Sequence, residues 1–157
     1  MVLFDELREK YPDMVNPAQT PPLVANNQVS IALTVPDVRS LAEHLISAYS
    51  SRLVAVFAED RVAPEGVFYN YYVFEQLAEP CYVILQAPIA ADQPRFPSLA
   101  AGLPAVNWQE REIQDWFGLE ATGHPNPRRV ALHDNWPDVH PLRKSFPLRQ
   151  VLPPFEG

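Results

Sequence analysis

Apolar and polar positions alternate or recur at helical spacing mainly between residues 29 and 132. Val29–Val35 predicts a first strand. Asp37 stands where it can cap a helix whose apolar residues, Val38, Leu41, Ala42, Leu45, Ile46 and Tyr49, return at the spacing of one buried face. Leu53–Ala58 reads as a second strand. After the turn-rich EDRVAPEG, the aromatic run VFYNYYVFEQ at 67–76 reads as its hairpin partner. Cys81–Ala87 supplies a further strand.

Between and beyond these elements proline sets the punctuation. Residues 12–28 (PDMVNPAQTPPLVANNQ) hold too many breakers for a regular element and form a linker after a short helix-like start. Pro88, Pro94, Pro97 and Pro104 bracket an irregular stretch with room for one helical turn at Leu99–Leu103. NWQEREIQDWFG then predicts a helix capped at Asn107 and stopped by Gly118. Its Trp108, Ile113, Trp116 and Phe117 make no tidy stripe, which predicts burial on more than one side. Arg128–Leu132 reads as a last short strand.

The order α, β, α, β, β, β, α, β predicts an α+β two-layer sandwich, helices packed on one mixed or antiparallel sheet. The division expected is an N-terminal helix and Pro-rich linker (1–28), an α+β core (29–132) and an extended C-terminal arm (133–157). In the arm, Pro137, Pro141, Pro147, Pro153 and Pro154 alternate with Trp136, Leu142, Phe146, Leu148, Val151, Leu152 and Phe155. Such proline density excludes a helix or central strand, yet the arm is too apolar for water. It needs a surface, either its own sheet or a partner.

Composition narrows the class. The chain has 157 residues, 47% hydrophobic and 20% charged, as expected of one globular domain. No apolar run approaches the roughly 18 residues of a spanning helix, and MVLFDELREK has acids where a signal peptide has bases. A net charge of −7 argues against nucleic acid. That charge is uneven: residues 1–124 hold 7 Lys+Arg against 16 Asp+Glu, and residues 125–157 hold 5 against 3. A net +2 tail on a −9 body suits an acidic surface, its own or a neighbour's.

Templates for chemistry are mostly absent. Cys81 lies alone in an apolar run, as a buried thiol does, and is too few for a cluster or structural zinc. The five glycines form no phosphate-cradling loop. His124, His133 and His140, spaced 9 and 7 apart beside Asp134 and Asp138, match no compact ligand motif, and His44 belongs to a helix. No Gly-x-Ser-x-Gly elbow occurs. Glu110, Glu112 and Asp115 are close, but Arg111 and Asp115 stand i,i+4 on a helix, which predicts a structural ion pair rather than acid–base catalysis.

One set of blocks is specific. Glu110-Arg111-Glu112, Asp115-Trp116-Phe117-Gly118, Gly123-His124-Pro125, Arg128-Arg129, then Pro141-Leu142-Arg143-Lys144 and Phe146-Pro147, resemble in order and spacing the signature of the 30 kDa subunit family of respiratory NADH dehydrogenase, complex I. The likeness is sharp over 108–148, weaker back to residue 29 and absent before it. Leu132–Pro137 (LHDNWP) and Tyr69–Phe74 are similar to the corresponding domain of formate hydrogenlyase and other membrane-bound hydrogenases. Ser145 stands where the family usually has an acid, and Trp116 replaces an aliphatic, Phe or Tyr.

The resemblance implies an accessory subunit of a membrane-associated NADH:quinone oxidoreductase, docked on the large catalytic subunit beside iron–sulfur subunits. The alternative it leaves open is the equivalent part of a nickel–iron hydrogenase or formate hydrogenlyase. A free-standing interaction module is a further alternative. This chain is expected to bind no cofactor and no nucleic acid; NAD, quinone, iron–sulfur clusters or nickel–iron would belong to its partners. It would be cytoplasmic, peripheral on the inner face of the cell membrane through the assembly. Because hydrogenases can carry this domain fused to the large subunit, a chain ending at Gly157 is expected to be a separate subunit or a truncated form.

The implied roles fall on matched residues. Glu110, Arg111, Glu112 and Asp115 would fix the helix against the following chain, and Gly118 and Gly123 would permit the reversal. Arg128, Arg129, Arg143 and Lys144 would meet acids on the neighbour. Trp136, Leu142 and Phe146 would anchor the arm in apolar pockets. Phe117, His124 and Pro141 complete the motif.

Overall fold

In the computed structural model residues 2–15, 27–77 and 81–147 are described, with backbone alone for 2–4. The elements are α1 Val2–Lys10, β1 Gln28–Ala32, α2 Arg39–Tyr49, β2 Arg52–Arg61, α3 Val62–Glu65, β3 Val67–Gln76, β4 Cys81–Ala90 and β5 Arg95–Pro97. A 3₁₀ turn at Pro104–Val106, α4 Asn107–Phe117 and β6 Glu120–Thr122 complete them.

Strict alternation decides the main sheet. In β3, Phe68, Asn70, Tyr72 and Phe74 face inward while Val67, Tyr69, Tyr71 and Val73 face out. The strand order is β1-β4-β3-β2, with β1 parallel to β4 and the other pairs antiparallel, so the sheet is mixed. Val83, Leu85 and Ile89 of β4 join Leu41 and Leu45 of α2 and Ile113 of α4 in one buried cluster. The other face is open: Phe57 is 48% exposed and stacks on Tyr71 at 4.9 Å. Helices on one face of a mixed sheet make the expected α+β sandwich.

The local differences have physical reasons. β4 runs through Pro88, because β1 ends opposite Gln86 and leaves that side of β4 without a partner strand. Asp37 does receive the Arg39 N–H, at 3.0 Å. Asn107 is no cap: α4 continues directly from the 3₁₀ turn, and Asn107 is already helical. The Leu99–Leu103 turn forms, closed by the Leu103 N–H on Leu99 O at 2.8 Å. Two short strands, β5 and β6, form an unexpected parallel pair. The strand read at Arg128–Leu132 does not form; that segment is irregular.

Two inward polar side chains interrupt the core. The Asn70 amide and the Tyr72 hydroxyl are fully buried and lack an aligned protein partner. Ala58 and Ala87 flank Asn70 in the register, leaving it only small neighbours across the sheet.

Candidate functional site: a strap read by helix α4

The sequence blocks of the C-terminal third meet in space around α4. The helix ends at Gly118, whose φ of +66° favours glycine, and its N–H returns to Gln114 O at 2.9 Å. Gly118 is constrained a second time, because a Cβ there would overlap the His140 ring. The imidazole therefore packs directly on the glycine. From Gly123 the chain reverses and runs back over α4 as a strap, residues 125–147.

Arg111 and Asp115 lie one turn apart on the face beneath this strap. No ion pair within 4 Å joins them among the described residues, contrary to the i,i+4 expectation. Arg111 donates instead to the carbonyls of Arg128 and Arg129, at 2.7 and 3.1 Å. Asp115 Oδ2 accepts three consecutive amides, Val130, Ala131 and Leu132, at 2.9, 2.8 and 3.1 Å. A guanidinium thus takes two carbonyls and a carboxylate takes the next three N–H groups. Three successive amides aimed at one oxygen are incompatible with the alternating directions of a strand. That is why 128–132 is not one.

The strap also completes the helix. The last four carbonyls of an α-helix have no partner within it. Here Gly118 N–H serves Gln114, His140 Nδ1–H serves Asp115 at 3.1 Å, Leu142 N–H serves Trp116 at 3.0 Å, and Arg143 Nε–H serves Phe117 at 2.6 Å. Arg143 places a cation at the negative end of the helix and lies 5.1 Å over the Phe68 ring. Beside it, Asp60 accepts Lys144 N–H and Val62 N–H on separate oxygens, both at 2.9 Å. The strap is tied to its own domain.

On the inner side of α4, Glu110 is fully buried. It accepts Leu99 N–H at 2.8 Å and the Ser98 hydroxyl at 2.5 Å, and so fixes the helix to the 98–100 turn. Burial pushes its carboxyl above the ordinary carboxylate range, with these hydrogen bonds opposing. Buried His124 accepts Asn126 N–H on Nδ1, at 2.9 Å, so its proton sits on Nε2 and is donated to Asn107 O at 3.1 Å.

The other residues singled out in the sequence divide. Phe117 is buried; Arg129 donates to Trp136 O at 3.2 Å, and Trp136 Nε1–H to Val139 O at 3.0 Å. Pro141 and Phe146 are half-buried in the strap; Glu112, Arg128 and Lys144 are exposed. Leu142 is 54% exposed, with its backbone rather than its side chain making the tie to α4. Trp108, expected inside, is 64% exposed and stacks against the Arg111 guanidinium at 5.6 Å.

Sequence reasoning missed Ser98, Asp60 and the capping role of His140. For Asp60 a signal existed, since its place in the alternation of β2 puts a carboxylate inward. Among the described residues no three His, Cys, Asp or Glu side chains gather to hold a metal, and no helix is long and apolar enough to cross a membrane.

Residues 31–151 match the family described as "Respiratory-chain NADH dehydrogenase, 30 Kd subunit". Hydrogenase-4 component G of Escherichia coli (strain K12) is 34% identical over 143 residues, 88% of this chain and 25% of its own length. Formate hydrogenlyase subunit 5 of the same organism is 32% identical over 121 residues, 76% of this chain and 21% of its own. An NADH-quinone oxidoreductase subunit of Salinispora tropica is 38% identical over 89 residues, 55% of this chain and 36% of its own. The chain thus spans about a quarter of the two hydrogenase relatives and about a third of the third. Among solved structures, a chain of the membrane-bound sulfane sulfur reductase, an archaeal respiratory membrane complex, superposes with a TM-score of 0.78 at 17% identity, covering 99% of this chain and 94% of that one. A trypsin-resistant fragment of Nqo5 gives 0.64 at 17% identity, covering 80% and 96%. At that identity the likeness is one of fold.

Proposed function

From the premise that this chain belongs to the 30 kDa subunit family of respiratory-chain NADH dehydrogenase, we propose that it is a docking component of a membrane-associated, complex I-like redox assembly. It holds no redox centre; NAD, quinone, iron–sulfur clusters or nickel–iron belong to the neighbours, and the large catalytic subunit is the principal one. The assembly places it peripherally on the inner face of the cell membrane.

One observation carries this reading: α4 spends Glu110, Arg111 and Asp115 on holding backbone. Polar groups that would otherwise be available for chemistry are instead structural. What they build is a strap whose exposed side chains, Arg128, Lys144 and Leu142, lie with Trp108 on the surface of a chain of net charge −7. Exposed basic and apolar side chains together with an exposed tryptophan have the composition of binding hot spots.

The hydrogenase type of assembly is favoured by hydrogenase-4 component G, which is 34% identical over 88% of the chain. The NADH-quinone type is the second reading, favoured by the family description. The test is co-purification of a tagged chain from its own cells, followed by identification of the neighbours. Trp108→Ala combined with Arg128→Glu and Lys144→Glu is expected to lower recovery of the large subunit by about tenfold or more, while circular dichroism shows the isolated variant still folded. Recovery that stays at the wild-type level sinks the docking reading.

A further inference from the structure

Two clefts, of about 800 and 420 Å³, share Arg39 and Thr122 and so form one groove. The larger lies at the ends of β3 and β4 against β5, over Ile89 and Phe96; the smaller continues along α2 past Ala42 to Ile46. Its floor is apolar, and Ile89 and Phe96 are almost fully buried beneath it. Its rim carries Arg39 and Arg95 at the larger cleft, with Glu43 farther along the smaller one.

Arg39 and Arg95 are both exposed, and neither has an ion-pair partner within 4 Å among the described residues, although the chain carries seven more acids than bases. Arg39 is held in place by donating to Ser98 O at 3.1 Å. It therefore stands at the junction of the two clefts, with Ile89 and Phe96 on one side and Ala42, Ile46 and Leu99, beside Glu43, on the other. A lipid or a nucleotide carries its charge at one end. An occupant matched to this groove has its anionic group in the middle of an apolar stretch.

We propose that the groove between α2 and β5 receives an extended segment of a neighbouring polypeptide in which an aspartate or glutamate is flanked by apolar residues. The carboxylate meets Arg39 and Arg95, the apolar side chains fill the clefts on both sides, and Thr122 is placed to satisfy the segment's backbone. Two separated guanidinium groups on an apolar floor select for charge position as well as charge sign. This rests on the docking reading above and adds a second contact to it.

The experiment puts photoreactive benzoylphenylalanine at Gln93, in the larger cleft, or at Ala101, in the smaller, in the full chain within its own cells. Adducts from both positions are expected on one segment of one partner polypeptide, with an acid between apolar residues. Arg95→Glu, and separately Arg39→Glu, is expected to lower the adduct yield about tenfold, the scale of one lost charge contact of about 1.4 kcal/mol. Replacing the acid of the captured segment by lysine is expected to restore it in the Glu variants. Circular dichroism identifies any variant that fails to fold; Arg95, whose side chain makes no hydrogen bond among the described residues, is the variant that decides. Adducts to lipid, adducts to the chain itself, no adduct, or adducts indifferent to the charge exchange overturn the proposal. If the large subunit is still recovered with the tagged chain in those cases, the groove fails alone; if no neighbour is recovered, the docking reading fails with it.

Discussion

The main sheet and the strap are ordered by opposite means. In the sheet, side chains recognise side chains: Leu85, Phe74 and Tyr72 are buried because apolar faces meet. In the strap, the side chains of α4 recognise backbone: five successive residues, 128–132, each offer α4 a carbonyl or an amide. The difference teaches where sequence can vary. A sheet face constrains every inward residue, whereas a segment held by its backbone constrains the residues that hold it.

The largest effect expected is on the sheet. Leu85→Ala, at a fully buried site in a strand paired on both sides, should cost about 2–5 kcal/mol in urea unfolding and lower hydrogen-exchange protection in sheet and strap together. Asp115→Ala comes next. It leaves three amides without their acceptor and should cost about 3 kcal/mol, with exchange protection lost at Val130–Leu132 while β3 and β4 keep theirs. If the sheet loosens first, the two regions are not separable and the comparison breaks.

Glu110→Gln should have a smaller effect that appears as a slope. Because burial raises the folded-state carboxyl above its unfolded value, the contribution of Glu110 is full below the unfolded value of 4.5 and is lost as pH rises through the raised one. Urea titrations across that window should show the wild-type advantage over Glu110→Gln shrinking toward neutral pH; a constant difference contradicts the assignment. Smallest of all should be Val130→Ala, within about 0.5 kcal/mol, since Val130 serves through its N–H. A loss equal to that of Asp115→Ala means that the strap is held by its side chains after all.

The same contrast explains what was legible beforehand. Val67–Gln76 was readable to the residue, because a strand packed on one face writes its period into the sequence. α2 and its apolar face were readable for the same reason. The path of the strap was not, because a carboxylate that accepts amides imposes no side-chain pattern on the residues supplying them. Several block residues, Arg111, Asp115 and Arg143 among them, tie the strap, but Arg143, expected to reach outward, turns in to Phe117 O, and Trp108, expected inside, lies out. Short β5 and β6 lacked the length for alternation to show.

The capping of α4 by the strap orders events during synthesis. Phe117 and the arginine that completes it are 26 residues apart, so the helix leaves the ribosome open-ended and is finished only when the strap follows. At translation rates of about 5–20 residues per second the sheet has seconds to pair before α4 is closed. The strap therefore closes after the sheet beneath it has had time to pair, and a chain that stops short of Arg143 leaves the end of α4 without that cap.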